Sequence, residues 1–295
     1  MKSTRFPRLV VSAGLACLAG CAGSPFSSKT EDEVRLMVPV PICLQRLPRP
    51  ATVGSIVALS PPEYWSMLLP SFDSGASTVD LSKPDCSQRL TLAEGSTGAG
   101  PVTIRVDQMV LGSGSDGFKI AWLPVRSIDT KRSGLLALLR QRKEFLEVYA
   151  LGIHQGVTSD VRFALERMGP ALVVTALEER CSGEGEERLC DAACTVYLMR
   201  NGQLQAQARF PVDHTVKAKA AAGAVSSEYR FSASADYRPN GVVLTEQLSV
   251  REAGRGEVRS VDLERTLRLQ DGRLVPSTES LWGQTAQQLG VPEDL

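Results

Sequence analysis

Few residues in this 295-residue chain carry the usual chemistry of an active site. The imidazoles are His154 and His214. Beside a serine and a carboxylate, either could accept the nucleophile's proton in a hydrolytic Ser-His-Asp set. Asp213 precedes His214, but neighbours on a strand point to opposite faces, so adjacency alone builds no dyad. Three cysteines, Cys181, Cys190 and Cys194, crowd one charged stretch. A zinc site wants four ligands, commonly with a Cys-x₂₋₄-Cys pair, and Cys190-x₃-Cys194 supplies half of one with no histidine nearby. The spacing favours a structural disulfide between two of the three, with one thiol left over. Gly112-Ser113-Gly114-Ser115-Asp116-Gly117 matches a dinucleotide-binding pattern. That site needs a helix after the glycines, and the following Phe118, Ile120 and Trp122 alternate like a strand, so the run reads as a hairpin loop. No catalytic residue, metal set or cofactor is assigned.

The N-terminus carries a different signal. Residues 1–8 contain Lys2, Arg5 and Arg8 and no acid, residues 9–18 are mostly apolar, and small residues follow. This is the layout of a secretory signal. The apolar segment is about half the ~20 residues that a spanning helix needs. Leu18-Ala19-Gly20-Cys21 resembles the lipobox of bacterial lipoproteins. The resemblance implies that the Cys21 thiol receives a diacylglyceryl group and that the Gly20–Cys21 bond is cut. Each buried acyl CH₂ contributes ~0.8 kcal/mol, so two or three chains hold a domain at a membrane. Ala22, where an aspartate would favour inner-membrane retention, implies sorting to the outer membrane. The resemblance covers the first two dozen residues only and says nothing of the rest.

Composition excludes some partners. Residues 1–20 take three basic residues and no acid with them, which moves the balanced 33 basic and 33 acidic side chains to a net charge of about −3. That is no footprint for nucleic acid. Residues 22–33, with Ser24-Pro25-Phe26-Ser27-Ser28, read as a tether. The oxidising envelope suits disulfides, and Cys43 and Cys86 are plausible partners across the N-terminal part.

The elements that would have to position any site are mostly strands. Tyr229, Phe231, Ala233, Ala235 and Tyr237 alternate with polar residues, the period-two signature of a half-buried strand. Asn240-Gly241 follows as a hairpin turn supplying positive φ angles. The next strand carries Val242, Leu244, Leu248 and Val250, and the one after it Val261, Leu263, Leu267 and Leu269, with Val258 out of phase and a bulge expected near Ser260. Val102, Ile104 and Val106 alternate, and Asn201-Gly202 joins two more strands. Residues 171–177 read as a strand buried on both faces. The charged stretch from Glu178-Glu179-Arg180 to Glu186-Glu187-Arg188 reads as a solvated hairpin tip.

Helices are few. Ser60-Pro61-Pro62-Glu63 is a capping box that starts a short helix through Trp65 and Leu68. Residues 278–289 read as another. Residues 135–149 fit a helix or a hairpin turning at Arg142-Lys143, and residues 161–165 a strand or a capped helix; the β neighbourhood favours strands in both. Residues 215–225 read as a linker or short exposed helix.

The chain is therefore expected to be mainly β, an antiparallel meander forming a barrel, half-barrel or sandwich with a few short helices. Its organisation is a lipoprotein signal peptide over 1–20, a tether over 21–33 and a single β-rich envelope domain over 34–295, with a small N-terminal lobe over 34–100 as an option. The expected function is non-enzymatic binding or scaffolding at the outer membrane, attached through lipid on Cys21, with an envelope protein or polysaccharide as partner. A carrier of an apolar ligand or lipid in a curved sheet is the alternative, and an envelope hydrolase using His154 or His214 stands behind it.

Overall fold

A computed structural model describes residues 39–49, 56–80, 86, 101–128, 131–157, 160–182, 189–218, 227–252 and 258–291. The signal segment, Gly20, Cys21 and the tether lie outside the described residues, as do 183–188. In chain order the elements are β1 (Cys43–Arg46), α1 (Pro61–Leu68), β2 (Thr78–Val79), β3 (Val102–Thr103), β4 (Val110–Ser113), β5 (Phe118–Ile128), β6 (Lys131–Arg142), β7 (Phe145–Val157), β8 (Asp160–Met168), β9 (Ala171–Ser182), β10 (Leu189–Arg200), β11 (Gln203–Ala218), β12 (Ser227–Arg238), β13 (Gly241–Glu252), β14 (Val258–Gln270), β15 (Arg273–Pro276) and α2 (Leu281–Leu289). The domain is mainly β and contains an eight-stranded barrel. Residues Leu36–Leu295 form one compact unit.

The barrel is two four-stranded antiparallel meanders, β4–β7 and β8–β11, joined edge to edge. The first strands meet in parallel through Ser113 and Ala164, and the last through Leu151–Gln203 and Gly152–Leu204. A wholly antiparallel meander was the expectation. Two parallel seams replace it because the second meander repeats the strand directions of the first, so like edges meet. In this ring β7 and β8 stand opposite one another, yet only two residues separate them. Three Cα–Cα steps reach about 11 Å at most. The barrel is flattened there, and glycines allow it: a Cβ on Gly156 would lie 2.9 Å from the Glu178 carboxyl carbon of β9.

Strand parity builds three apolar layers. Ile120, Trp122, Leu136, Leu138, Phe163 and Val174 fill the barrel interior. On the outside of β5–β7, Leu123, Leu135 and Leu139 pack under Tyr64, Trp65 and Leu68 of α1. The N-terminal segment therefore shares a core with the barrel. On the outside of β8–β11, Val173, Val196 and Phe210 pack under Val242, Leu244 and Leu267 of the sheet β12–β15. Residues 171–177 are thus buried on both faces because one face lines the barrel and the other meets β12–β15, the continuation of the same sheet beyond β11.

Local signals set most element ends. The Glu63 carboxylate accepts the Ser60 N–H at 2.7 Å, and Pro61 and Pro62 occupy the first helical positions. In α2, Ser280 Oγ accepts from the Gly283 N–H at 2.8 Å and Gly290 closes the helix at φ 65°. Asn201 and Gly202 turn with φ of 50° and 74°. Residues 135–149 are a hairpin turning at Lys143 and Glu144, and 161–165 belong to a strand. Residues 215–218 extend β11 rather than forming a linker; 219–225 lie outside the described residues.

Two local expectations fail. Pro239 and Asn240 form the loop between β12 and β13, but Pro239 is locked at negative φ, and the positive angle falls on Gly241 at φ 145°. No bulge interrupts β14 near Ser260; its register with β13 is unbroken. Val258 and Val261 are both exposed, so no shift of parity is needed to bury them. Bulges fall instead in the barrel, between Leu138 and Leu139 opposite β7 and between Val196 and Tyr197 opposite β11, where a curved sheet must bend.

Candidate functional site: a buried charged chain and an open barrel mouth

Glu178 continues the parity of Leu172, Val174 and Ala176 along β9, so it points into the barrel. It is 2% exposed. Its placement in a solvated hairpin tip is therefore wrong: the apolar alternation runs two residues further than the apolar residues do, and the strand carries the carboxylate inside. Arg209 reaches it because of a bulge. Leu204 lines the interior, the bulge at Gln207 switches the parity of β11, and Arg209 then faces inward as well. Arg209 Nη1 donates to Glu178 Oε1 at 2.9 Å and to Thr195 Oγ1 at 3.2 Å.

His154 on β7 completes the chain. Its Nε2 lies 3.7 Å from Glu178 Oε1, and its Nδ1 2.6 Å from the Tyr197 hydroxyl. Trp122, Phe163 and Tyr197 meet the imidazole edge to face. Burial, with Arg209 nearby, pushes the His154 pKa down to about 3, and burial raises that of Tyr197. Tyr197 accordingly keeps its proton and donates it to Nδ1, and the tautomer with Nε2–H facing Glu178 is favoured. A histidine this hard to protonate is a poor general base at neutral pH. Its partners are a phenol and a carboxylate where hydrolysis would put a serine or cysteine. A cleft of 530 Å³ reaches this chain from outside between Gln155 of β7 and Arg209 of β11.

The other histidine, His214 of β11, packs against α2. His214 Nδ1 lies 3.0 Å from Asp191 Oδ1, and the ring stacks on Trp282 at 4.6 Å. Asp213 is on the exposed side of the strand, as alternation requires. Buried Glu246, ion-paired with Arg265, accepts the Leu281 N–H at 2.8 Å and anchors the start of α2. These contacts dock the helix.

Four of the five described cysteines are in disulfides. Cys43 is bonded to Cys86, and Cys181 to Cys190, its direct cross-strand partner. Cys194 is free and buried, and burial pushes its thiol up to about 11. Glu179 approaches Cys181 and Cys190, but a disulfide has no thiolates to offer a metal, so the trio does not fit one. Gly112 and Ser113 end β4, and Gly114–Gly117 form the hairpin loop into β5, with Asp116 and Gly117 at φ of 57° and 76°.

A second feature has no counterpart in the sequence reading. Above the short β7–β11 seam, β7 pairs with β1 instead, and the barrel opens. The opening is a cleft of 680 Å³ floored by Phe118, Tyr149 and Leu172. Two cross-strand rows run along its wall. Leu44, Glu147, Arg140 and Phe118 lie opposite one another in the first, and Arg46, Phe145 and Arg142 in the second. Opposed residues share a face. The Arg140 guanidinium stands over the Phe118 ring at 5.3 Å and has no carboxylate partner among the described residues. Arg142 lies 3.7 Å from Glu147, and Arg167 pairs with exposed Asp116 at 2.6 Å. Pro39, Val40 and Pro41 close the rim.

Comparison of the chain with protein-family models, with curated proteins and with solved structures finds no match in any of the three.

Proposed function

We propose that this chain is a lipoprotein held at the outer membrane through lipid on Cys21, and that its barrel domain binds or scaffolds a component of the envelope instead of catalysing a reaction. The observation that carries the binding part is the packed barrel. Large side chains of β5–β11 meet in its interior, with the partly buried Val110 of β4 against them, and Ile120, Leu136, Leu138 and Val174 are fully buried there. Recognition is then left to open surfaces, of which the mouth between β6, β7 and β9 has the most varied chemistry. The packed interior weighs against the carrier reading, because an apolar ligand inside would have to displace the core. The low basicity of His154 and its phenolic partner weigh against a hydrolase.

The anchor is tested by Cys21→Ala. The variant should lose metabolic lipid labelling and leave the membrane fraction; retention of both sinks the assignment. The binding role is tested by capturing the anchored protein with intact outer membrane and identifying what is held. A component enriched by the native chain and lost on Arg142→Glu supports an envelope contact through the mouth. Turnover of an envelope substrate that is abolished by His154→Gln would overturn it.

A further inference from the structure

We infer that the open mouth docks on anionic lipid headgroups of the membrane that carries the anchor, so that this end of the barrel lies against the bilayer. The inference rests on the reading of Cys21 as the lipid-bearing residue. Three observations converge on it.

The first is chain geometry. Pro39, Val40 and Pro41 line the mouth, and about eighteen residues separate them from Cys21. A chain of that length spans at most about 65 Å. The first described residues after Cys21 in chain order are those at the mouth.

The second is charge. Arg140, Arg142 and Arg167 line the opening against Asp116 and Glu147, and Arg46, 4.0 Å from Glu144, and Lys143 of the β6–β7 turn stand beside it. The mouth is cationic on a domain whose mature chain is slightly acidic. Arg140 stands over Phe118 and forms no ion pair within 4 Å among the described residues, although Glu147 is its cross-strand neighbour, and Arg142 meets Glu147 at 3.7 Å. A guanidinium fork matches a phosphate bidentately.

The third is the apolar rim. Val40 is 78% exposed, Leu44 56% and Phe145 40%. Phe145 sits between Arg46 and Arg142 in one row, and Leu44 beside Glu147 in the next. Apolar side chains interleaved with arginines suit the interface, where the first enter the acyl boundary and the second stay with the headgroups. An acidic polysaccharide would satisfy the charges and leave these residues in water, so the lipid surface is the better occupant.

The test removes the anchor so that only the mouth can bind. The unlipidated chain from residue 21, carrying Cys21→Ala, is sedimented with vesicles of phosphatidylcholine alone and of phosphatidylcholine with about one-third phosphatidylglycerol. Binding to the anionic vesicles at low salt, and its loss at high salt, are expected. Arg142→Gln and Arg167→Gln should each weaken it roughly five-fold. Arg259→Gln, exposed on β14, should leave it unchanged. Unaltered thermal melting of each variant establishes that it is folded. Equal binding to both vesicle types, no binding, or the same loss in Arg259→Gln overturns the inference. So does binding that emerges only after Glu31, Asp32 and Glu33 are neutralised, because the mouth would then belong to the chain's own acidic segment. The result is independent of the labelling of Cys21, so a failed anchor and a failed mouth are told apart.

Discussion

His154 of β7 and Glu178 of β9 face one another inside the barrel, Nε2 to Oε1 at 3.7 Å, although their strands are not neighbours in the sheet. The contact exists because the barrel is flattened where the two meanders join and because Gly156 leaves the space open. Arg209 closes the chain from the side of the cleft.

Arg209 is therefore what makes the buried Glu178 carboxylate tolerable. Arg209→Met should cost stability near the low end of the ~3–5 kcal/mol found when one partner of a buried pair is removed, since Arg209 is itself partly exposed. Glu178→Gln combined with Arg209→Met should recover most of it. Urea unfolding measures both. A single-variant loss below about 0.5 kcal/mol, the range of neutral surface changes, would show that the pair does not hold the carboxylate.

The burial of His154 makes stability pH-dependent. Its folded pKa is depressed to about 3 from 6.5 in the unfolded chain. Below pH 6.5 the unfolded chain binds a proton that the folded chain does not, so stability is lost as pH falls from 6.5 towards 3. The slope approaches ~1.4 kcal/mol per pH unit for one proton. Between pH 6.5 and 5, before most carboxylates titrate, His154→Gln should flatten the dependence of unfolding free energy on pH, with His214 left in place. An unchanged slope would place the effect elsewhere.

Thiol chemistry separates the cysteines. In the chain from residue 21 with Cys21→Ala, the native protein should show no fast-reacting thiol. Unfolding without reductant should release one, that of Cys194, whose thiol burial holds at about 11. The Cys43–Cys86 disulfide closes a span of 43 residues, and replacing both cysteines by alanine should cost about 4 kcal/mol; replacing Cys181 and Cys190, nine apart, should cost about 2.5 kcal/mol. Two thiols on unfolding, or the reverse order of losses, would contradict the pairing.

Gly156→Ala should be destabilising by about 1–3 kcal/mol although it lies in a regular strand. The added Cβ would stand 2.6 Å from His154 Nε2 and 3.1 Å from Glu178 Oε1. A melting temperature equal to that of the native chain would mean that the barrel is not flattened at this level.

Much of the fold was legible because its signals are local. The alternation in 229–237 gave β12, Ser60 to Glu63 gave the start of α1, and Asn201-Gly202 gave a hairpin. The pairing of Cys43 with Cys86 follows from compartment and position, and the structure bonds them. Glu178 was misplaced although its parity with Val174 and Ala176 was there to be read. Its acidity outweighed its phase. The switch of Arg209 to the inside was not readable, because the bulge at Gln207 depends on how β10 and β11 bend together.

By itself, then, the sequence determined a β-rich chain: its strands, turns and helix caps, set by φ/ψ preferences and periodicity over a few residues, together with a lipobox resemblance at Cys21 whose chemistry lies outside the described residues. Only the tertiary structure decided that two meanders close in parallel, that β1 replaces β11 beside the upper part of β7, and that arginines from β6 and β8 line one opening. The physical reason is range. Which strand edges meet is decided by packing between residues such as Gly152 and Leu204, far apart in the chain, and no local pattern encodes that choice.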